Sequence, residues 1–161
     1  MNKIELIKTE RDGLKIKDDI HRFAKEGWES ISEEDIQRLK WYGLFLRNPT
    51  PGYFMLRVRI PNGFSFSHQV KALSLIAETY GNGLIDITTR QQVQLRHLKI
   101  ESIPQVFQLL EEVGLTSSQT GMDNVRNIMG CPVAGLNPKE KVDAYSLVKA
   151  LNEHIIGNPE F

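Results

Sequence analysis

The stretch "DITTRQQVQLR", residues 86–96, decides the fold, because it alternates polar and apolar side chains. Side chains of a strand point in turn to its two faces, so Ile87, Val93 and Leu95 share one face. The other face carries a polar row: Thr88, Arg90, Gln92, Gln94 and Arg96. A solvated face usually mixes acids with bases, whereas this row holds two arginines and no acid. We therefore interpret the row as one face of a sheet that binds an anion.

The sequence around this stretch predicts the rest of an α+β fold. Alternation and helical spacing predict, in order, a strand at 53–60, a helix over 67–80, a strand at 84–89, a strand at 93–100 and a second helix. We expect Gly81 to end the first helix in the left-handed conformation, and Ser102 and Gln105 to begin the second as a capping box. The order β-α-β-β-α is most of a ferredoxin-like sandwich.

We expect three regions along the chain. Residues 1–50 form an N-terminal helical extension with a short helix near 33–40. The prolines and the glycine of "RNPTPG" end this extension, and a ferredoxin-like half-domain occupies 51–116. Residues 117–161 hold a polar, glycine-rich loop, of a kind that is more often functional or disordered than structural, and a last helix that Asn137 caps.

The composition confines any binding of anions to a local site. The 161 residues include 20 basic and 20 acidic side chains, and this balance argues against a protein that coats nucleic acid or an anionic membrane. The single cysteine, Cys131, excludes an internal disulfide and cannot supply the four thiolates of an iron–sulfur cluster. The sequence has neither an apolar run of about 20 residues to span a bilayer nor a secretory leader. We therefore expect a cytoplasmic protein.

Arginines offer the most distinctive chemistry of the sequence: Arg57, Arg59, Arg90, Arg96 and Arg126. Guanidinium groups bind carboxylates bidentately and stay charged, so a converging set forms an anion receptor rather than an acid–base catalyst. The alternative is that each of them is an ordinary solvent-facing side chain. His97 falls toward the apolar face, which favours a core or edge position, and the histidines have no zinc-binding spacing. We predict no metal ligands, and the zero net charge disfavours binding of single-stranded RNA by the aromatic residues.

Three motifs are similar to those of one family: "FMLRVRIPNG" at 54–63, "DITTRQQVQLR" at 86–96 and "GLTSSQTGMDNVRNIMGCPVAGLNP" at 114–138. In this order and spacing they resemble the N-terminal part of ferredoxin-dependent nitrite reductases of the cyanobacterial and plastid type, which belong with the sulfite reductases. The stretches "DGLKIKDDIHRFAKEGWESI" and "RLKWYGLFLR" agree as well. The resemblance therefore covers nearly the whole chain.

The resemblance implies an enzyme that reduces nitrite to ammonia with six electrons, using sirohaem and a 4Fe-4S cluster, with ferredoxin as electron donor. Sirohaem is an iron tetrapyrrole with eight carboxylates, and the family's donors to these carboxylates match Thr88, Arg90, Gln94 and Arg96. Arg57 and Arg126 match the arginines that neutralise the anionic substrate. The cysteines that bind the cluster lie in a later half of the family's longer enzymes and have no counterpart in this chain.

We accordingly expect this chain to be part of a longer nitrite reductase, inactive alone, in the cytoplasm or in the plastid stroma of a eukaryote. Half of a pseudo-symmetric sandwich leaves an apolar face or a strand edge uncovered, which predicts self-association of the segment. Two alternatives stay open. One is a segment of a sulfite reductase, which shares "TTRQ" and both substrate arginines, and the other is a free-standing, non-enzymatic module that binds anions or tetrapyrroles.

Overall fold

A computed structural model describes residues 3–161 as an α+β fold. Its helices are α1 (Lys3–Glu10), α2 (Ile20–Glu26), α3 (Glu33–Leu39), α4 (Ser67–Tyr80), α5 (Ile103–Glu112) and α6 (Tyr145–Ile155). Its strands are β1 (Leu44–Arg47), β2 (Thr50–Val58), β3 (Ile85–Ile87) and β4 (Val93–Lys99). Within this part of the chain, no helix is both long and apolar enough to cross a membrane.

The strands form one antiparallel sheet in the order β1-β2-β4-β3, and α4 and α5 pack on one of its faces. This arrangement confirms the predicted ferredoxin-like α+β class. The structure adds one strand, β1, to the predicted order, so the order along the chain is β-β-α-β-β-α. "RNPTPG" does not end an extension before the sheet. It contains the hairpin turn, Asn48 and Pro49, that joins β1 to β2, and Arg47 pairs with Thr50 across this turn.

The N-terminal extension is part of the same hydrophobic core as the sheet. Its buried members are Ile16, Ile20, Phe23, Ile31 and Leu39, which join the core residues of α4, α5 and the strands. The helix predicted near 33–40 is confirmed as α3, and the Ser32 hydroxyl accepts a 3.1 Å bond from Asp35 N at its start. The extension therefore covers the core through apolar contacts rather than lying loosely on it.

The stretch at 86–96 is a hairpin turn followed by a strand, not one continuous polar row. Residues 88–92 form the turn, in which Thr88 N donates to Gln92 O at 2.9 Å and Gln91 has a φ of 56°. The turn interrupts the alternation, so only Gln94 and Arg96 of the row lie on β4. Ile87 is 83% exposed because β3 is the short edge strand. Self-association through this edge stays a prediction.

A β-bulge in β4 corrects the prediction for His97. The register of β2 and β4 shifts between Phe54 and Leu56, and His97 has a φ of 59°. Leu95 and Leu98 are both buried, although they are three residues apart, because a bulge inserts one extra residue and resets the alternation. His97 is consequently exposed rather than lying in the core, and its ring is tilted by 59° against the Tyr53 ring, with 5.7 Å between the centroids.

Two predicted helix ends are also wrong. Gly81 has a φ of −110°, which is not left-handed, and glycine fits there because an added Cβ would lie 2.7 Å from Arg96 O. The Ser102 hydroxyl donates to Lys99 O at 2.8 Å instead of capping α5. Both residues therefore serve contacts with β4 that the local sequence does not reveal.

The last helix begins later than the sequence predicts. The Asn137 carboxamide oxygen accepts a 3.0 Å bond from Lys139 N, but the segment after it is a set of turns. Asp143 Oδ1 accepts from Tyr145 N at 2.8 Å, where α6 begins. Val148 is buried along α6, whereas the segment before the helix has few apolar contacts to hold it.

Gly43, just before β1, packs closely against two other segments of the chain. It has a φ of 70°, and an added Cβ would lie 2.4 Å from Thr120 Oγ1 and 2.6 Å from Arg57 O. We expect Gly43→Ala to lower the free energy of unfolding by about 3 kcal/mol, because a steric clash adds to the strain of a positive φ. Urea unfolding measures this loss.

Gly114→Ala is the matched control for this substitution. Gly114 has a φ of 69°, and an added Cβ would have no neighbour within 4 Å among the described residues. Its loss should be about 1 kcal/mol, from backbone conformation alone. Equal losses for the two variants would contradict the importance of the close approach to Arg57 O.

Candidate anion-binding site

The sheet face opposite the helices carries polar side chains on three adjacent strands. In the register of the sheet, Gln94 on β4 lies between Arg57 on β2 and Asp86 on β3. Arg96 lies two residues further along β4, where side chains return to the same face. These side chains are partly exposed, whereas Leu56 and Leu95 on the other face are buried. The polar face is therefore accessible to a ligand.

Two contacts hold the Arg57 side chain in place on this face. Its Nη1 atom donates to Thr120 O at 2.8 Å, and its guanidinium carbon lies 4.8 Å from the centre of the Phe45 ring. Burial lowers the pKa of Arg57 from its ordinary value, and the positive charges of Arg126 and Arg90 lower it further. The charges of three of the predicted site arginines therefore act on one another.

These three residues, Arg57, Arg90 and Arg126, are called the arginine cluster below. Across residues 3–161, none of them forms an ion pair. Arg126 Nη2 makes one long bond, 3.4 Å to Met122 O, and the exposed Arg90 guanidinium has no hydrogen-bond partner in that range. Like charges without a counter-ion repel each other, so an anion bound between them would be stabilised.

Arg96 differs from the cluster because it already has an acid partner. Its Nε atom pairs with Asp86 Oδ2, and its Nη2 atom donates to Gln94 Oε1 at 3.4 Å. The polar row itself contains no acid, but Asp86, just before the row, supplies one across the hairpin. Arg96 and Gln94 are therefore partly engaged with each other and with Asp86.

Thr88 lies in the hairpin turn that also carries Arg90. Its hydroxyl oxygen accepts a 3.2 Å bond from Gln92 N within the hairpin turn. It also lines a cavity of about 450 Å³ that α4 and the strand ends share, with apolar residues such as Leu73 and Val93. The hydroxyl hydrogen is free to donate to a ligand, but the observed contacts serve the turn.

The chain is similar to known proteins. Residues 47–113 match the model of the nitrite/sulfite reductase ferredoxin-like half domain. These residues are therefore similar to that half domain. The half domain and its flanking segments are similar over their whole length to curated ferredoxin–nitrite reductases.

Two relatives and one solved structure show the extent of the match. The chain is 47% identical to the ferredoxin–nitrite reductase of Leptolyngbya laminosa, covering 100% of this chain and 33% of that protein. It is 40% identical to the chloroplastic enzyme of Arabidopsis thaliana, covering 100% and 30%. The Mycobacterium tuberculosis NirA structure superposes with a TM-score of 0.93 at 28% identity, covering 99% of this chain and 33% of that one. The chain thus spans about a third of the length of the first two.

Residues 117–130, which follow the half domain, are called the site loop. It carries Arg126 and lies along the end of β2. Arg59 N donates to Thr116 O at 2.9 Å just before the loop, and Asn62 N donates to Ile128 O at 2.9 Å near its end. The loop, which the sequence predicts only as irregular and polar, is thus held against the strand that carries Arg57.

The sequence groups Arg59 with the candidate anion ligands, but the structure gives it a different role. Arg59 is 1% exposed, and burial lowers its pKa to about 10. Its guanidinium group donates to carbonyl oxygens of the site loop, including Gln119 O at 2.7 Å. It therefore holds the loop and does not face a ligand. The alternation of β2 could not reveal this, because a strand that ends beneath a loop has both faces buried.

No metal centre accompanies the arginine cluster in the part of the chain that the structure describes. Between residues 3 and 161 there is no group of three or more histidine, cysteine, aspartate or glutamate side chains that could hold an ion. Cys131 is free and exposed. The chemistry that these residues offer is thus anion binding by fixed positive charges.

Proposed function

We propose that this chain is the part of a ferredoxin-dependent nitrite reductase that supplies arginines to its sirohaem and to its anionic substrate. The observation that carries the proposal is the arginine cluster, whose members have no acid partner among residues 3–161. Arg57 bonds to Thr120 O in the site loop, and Asn127, next to Arg126 in the same loop, bonds to Arg90 O. Because the chain spans about a third of its relatives' length, residues outside it would complete the enzyme. Alone, the chain should not reduce nitrite.

Within this proposal, different arginines bind different ligands. Arg57 and Arg126 would neutralise nitrite and the charge that develops during its reduction, which is an electrostatic contribution. Arg90 would bind a carboxylate of sirohaem, together with Thr88, Gln94 and Arg96. Arg90 is the most available of these four, because Arg96 and Gln94 share Asp86 and the Thr88 hydroxyl serves the turn.

The donors present fit a polycarboxylate cofactor. Arginine forms bidentate hydrogen bonds with carboxylates, and the polar face offers guanidinium and amide donors on neighbouring strands. Sirohaem, when bound, would supply the redox chemistry at its iron, with electrons from ferredoxin through a 4Fe-4S cluster. The chain's own residues would bind and orient the anions.

The first experiment measures whether the chain binds a tetrapyrrole polyanion. Uroporphyrin has eight carboxylates, and mesoporphyrin has the same ring with two. We expect uroporphyrin to bind at least about tenfold more tightly in a fluorescence titration at fixed ionic strength, because each further charge-assisted bond adds affinity. Equal affinity for the two porphyrins would contradict the proposal, since it would show that ring contacts alone drive binding.

Arg90→Met tests the residue that we expect to contribute most to this binding. It should weaken the binding of uroporphyrin about tenfold, the effect of losing one hydrogen bond to a charged group. Arg47→Met is the matched control, because Arg47 is exposed at the end of β1. The same loss in both variants would indicate general electrostatic attraction rather than a site.

Asp86→Asn should have the opposite effect on uroporphyrin. Asp86 and Arg96 are 45% and 36% exposed, so their ion pair contributes little to stability. Removing the acid frees Arg96 and removes a negative charge from the face, so we expect binding to tighten about threefold. Asp18→Asn, on the N-terminal extension, is the control. Weaker binding in Asp86→Asn would mean that Asp86 holds Arg96 in its binding position.

Sulfite reduction is the second candidate, since the matching family model describes nitrite and sulfite reductases together. Both substrates are small anions that an arginine cluster can bind. The relative kcat/KM of the full-length enzyme for nitrite and sulfite distinguishes the two. A preference for sulfite would replace nitrite in the proposal and leave the role of the cluster unchanged.

A further inference from the structure

The position of Arg126 depends on a buried side chain of the hairpin turn. Among residues 3–161, its guanidinium group has a single hydrogen bond, of 3.4 Å to Met122 O. The Arg126 carbonyl oxygen, in contrast, accepts a 2.7 Å bond from Gln92 Nε2. Gln92 is 2% exposed, so little water reaches the bond, and a hydrogen bond in such surroundings is strengthened. The backbone of Arg126 is therefore held more firmly than its side chain.

Other amides join the same two pieces of chain. Asn127 Nδ2 donates to Arg90 O and to Ile60 O, both at 2.9 Å. The Gln91 side chain and the Gly130 backbone exchange two hydrogen bonds of 3.0 and 3.1 Å. The hairpin turn carries Arg90 and the site loop carries Arg126, so these bonds hold the backbones of the two arginines at a fixed separation.

We infer that Gln92 is a positioning residue, which holds Arg126 beside Arg57 and Arg90 without touching the anion itself. The inference rests on the proposed function of the arginine cluster. Like charges without a counter-ion tend to separate, and in the described chain no carboxylate holds these three together. A neutral amide bonded to the Arg126 backbone keeps the charges close while leaving the guanidinium groups free for a ligand.

The first test needs no ligand. The backbone heteronuclear NOE of Arg126 and Asn127 is measured by NMR in the wild type and in Gln92→Met, which keeps the volume of the side chain but not its donor. We expect both values to fall to those of a flexible loop. Gln108→Met is the matched control, because Gln108 is exposed on α5 and bonds only to Glu112. Unchanged values in Gln92→Met would overturn the inference.

A double-mutant cycle with nitrite as the probe is the second test, because Arg126 is proposed to neutralise nitrite rather than to bind the tetrapyrrole. We expect Gln92→Met to weaken binding about fivefold and Arg126→Met about tenfold, and the double variant to bind no more weakly than Arg126→Met. A purely structural or independent role for Gln92 would instead multiply the two losses. Multiplied losses would overturn the inference.

The two tests separate this inference from the proposed function. If wild-type protein binds uroporphyrin no better than mesoporphyrin, the proposed function fails, and the NOE measurement still decides whether Gln92 positions Arg126. If Arg126→Met weakens nitrite binding but Gln92→Met does not, the proposed function stands and the positioning role fails. If Gln92→Met does not fold, Gln92→Asn replaces it, because its shorter amide cannot span the same distance to Arg126 O.

Discussion

Arg59→Met is expected to lower the free energy of unfolding by about 4 kcal/mol, because several buried acceptors would lose their donor together. Arg59 donates to Gln119 O at 2.7 Å, to Asn152 Oδ1 at 3.2 Å and to Val125 O. These acceptors lie in the site loop and in α6, so one side chain joins both to the end of β2. Methionine keeps most of the volume without the donors. Urea unfolding followed by tryptophan fluorescence measures the loss.

Arg47→Met is again the control, with an expected change within about 0.5 kcal/mol, as for most surface substitutions. Arg59→Lys should recover less than half of the loss. With a pKa of about 10 the Arg59 guanidinium is charged at neutral pH, as a lysine would be, but an ammonium group cannot present a planar fork to separate carbonyl oxygens. A loss below about 1 kcal/mol for Arg59→Met would contradict the structural role of Arg59.

The sequence predicts those parts of the fold that depend on neighbouring residues. The helices at 67–80 and after Ser102 and the strands at 53–60 and 93–100 have regular apolar spacing, and the structure contains all four within a few residues. The sequence did not predict β1, because its signal is short and the prolines after it favour a chain break. In the structure those prolines belong to a hairpin. β1 is a strand because it pairs with β2, and the residues of β1 alone do not reveal this pairing.

Local irregularities explain the other errors. The bulge at His97 and the turn at 88–92 each change which face a side chain occupies, and both need residues with positive φ: His97 and Gln91. Neither residue is a glycine, so composition gives no warning of the conformation. The predicted polar row consequently divides into turn residues and strand residues with different surroundings.

For the site, the sequence indicated which residue types bind an anion but not which of them meet. Arg57, Arg90 and Arg126 come from a strand, a turn and a loop, and only the folded chain brings them together. The fold also buries Arg59, unlike these three arginines, although arginine is usually exposed. The sequence contains a signal for the partner of Arg96. In a β3–β4 hairpin of this register Asp86 lies opposite Gln94, two residues from Arg96 on the same face.

In the full-length enzyme to which we propose this chain belongs, Arg57→Met and Arg90→Met should fail in different ways. Arg57→Met is expected to lower kcat/KM for nitrite about 100-fold, the effect of removing one preorganised charge from a site where charge develops. Sirohaem content per chain should stay near the wild-type value. Arg57 is held by Thr120 O and by the Phe45 ring, so its loss leaves the exposed cofactor donors in place.

Arg90→Met should instead lower the sirohaem content, with kcat per bound sirohaem nearly unchanged. The exposed Arg90 guanidinium has no protein partner among residues 3–161, so its contribution should appear only when a cofactor carboxylate binds. The absorption spectrum of the purified enzyme gives the content, and nitrite reduction with reduced ferredoxin gives the rate. Arg47→Met should change neither quantity. Equal loss of sirohaem in Arg57→Met and Arg90→Met would contradict the assignment of Arg57 to nitrite and Arg90 to sirohaem. The arginine cluster would then bind the cofactor as one unit, and nitrite would bind to residues elsewhere.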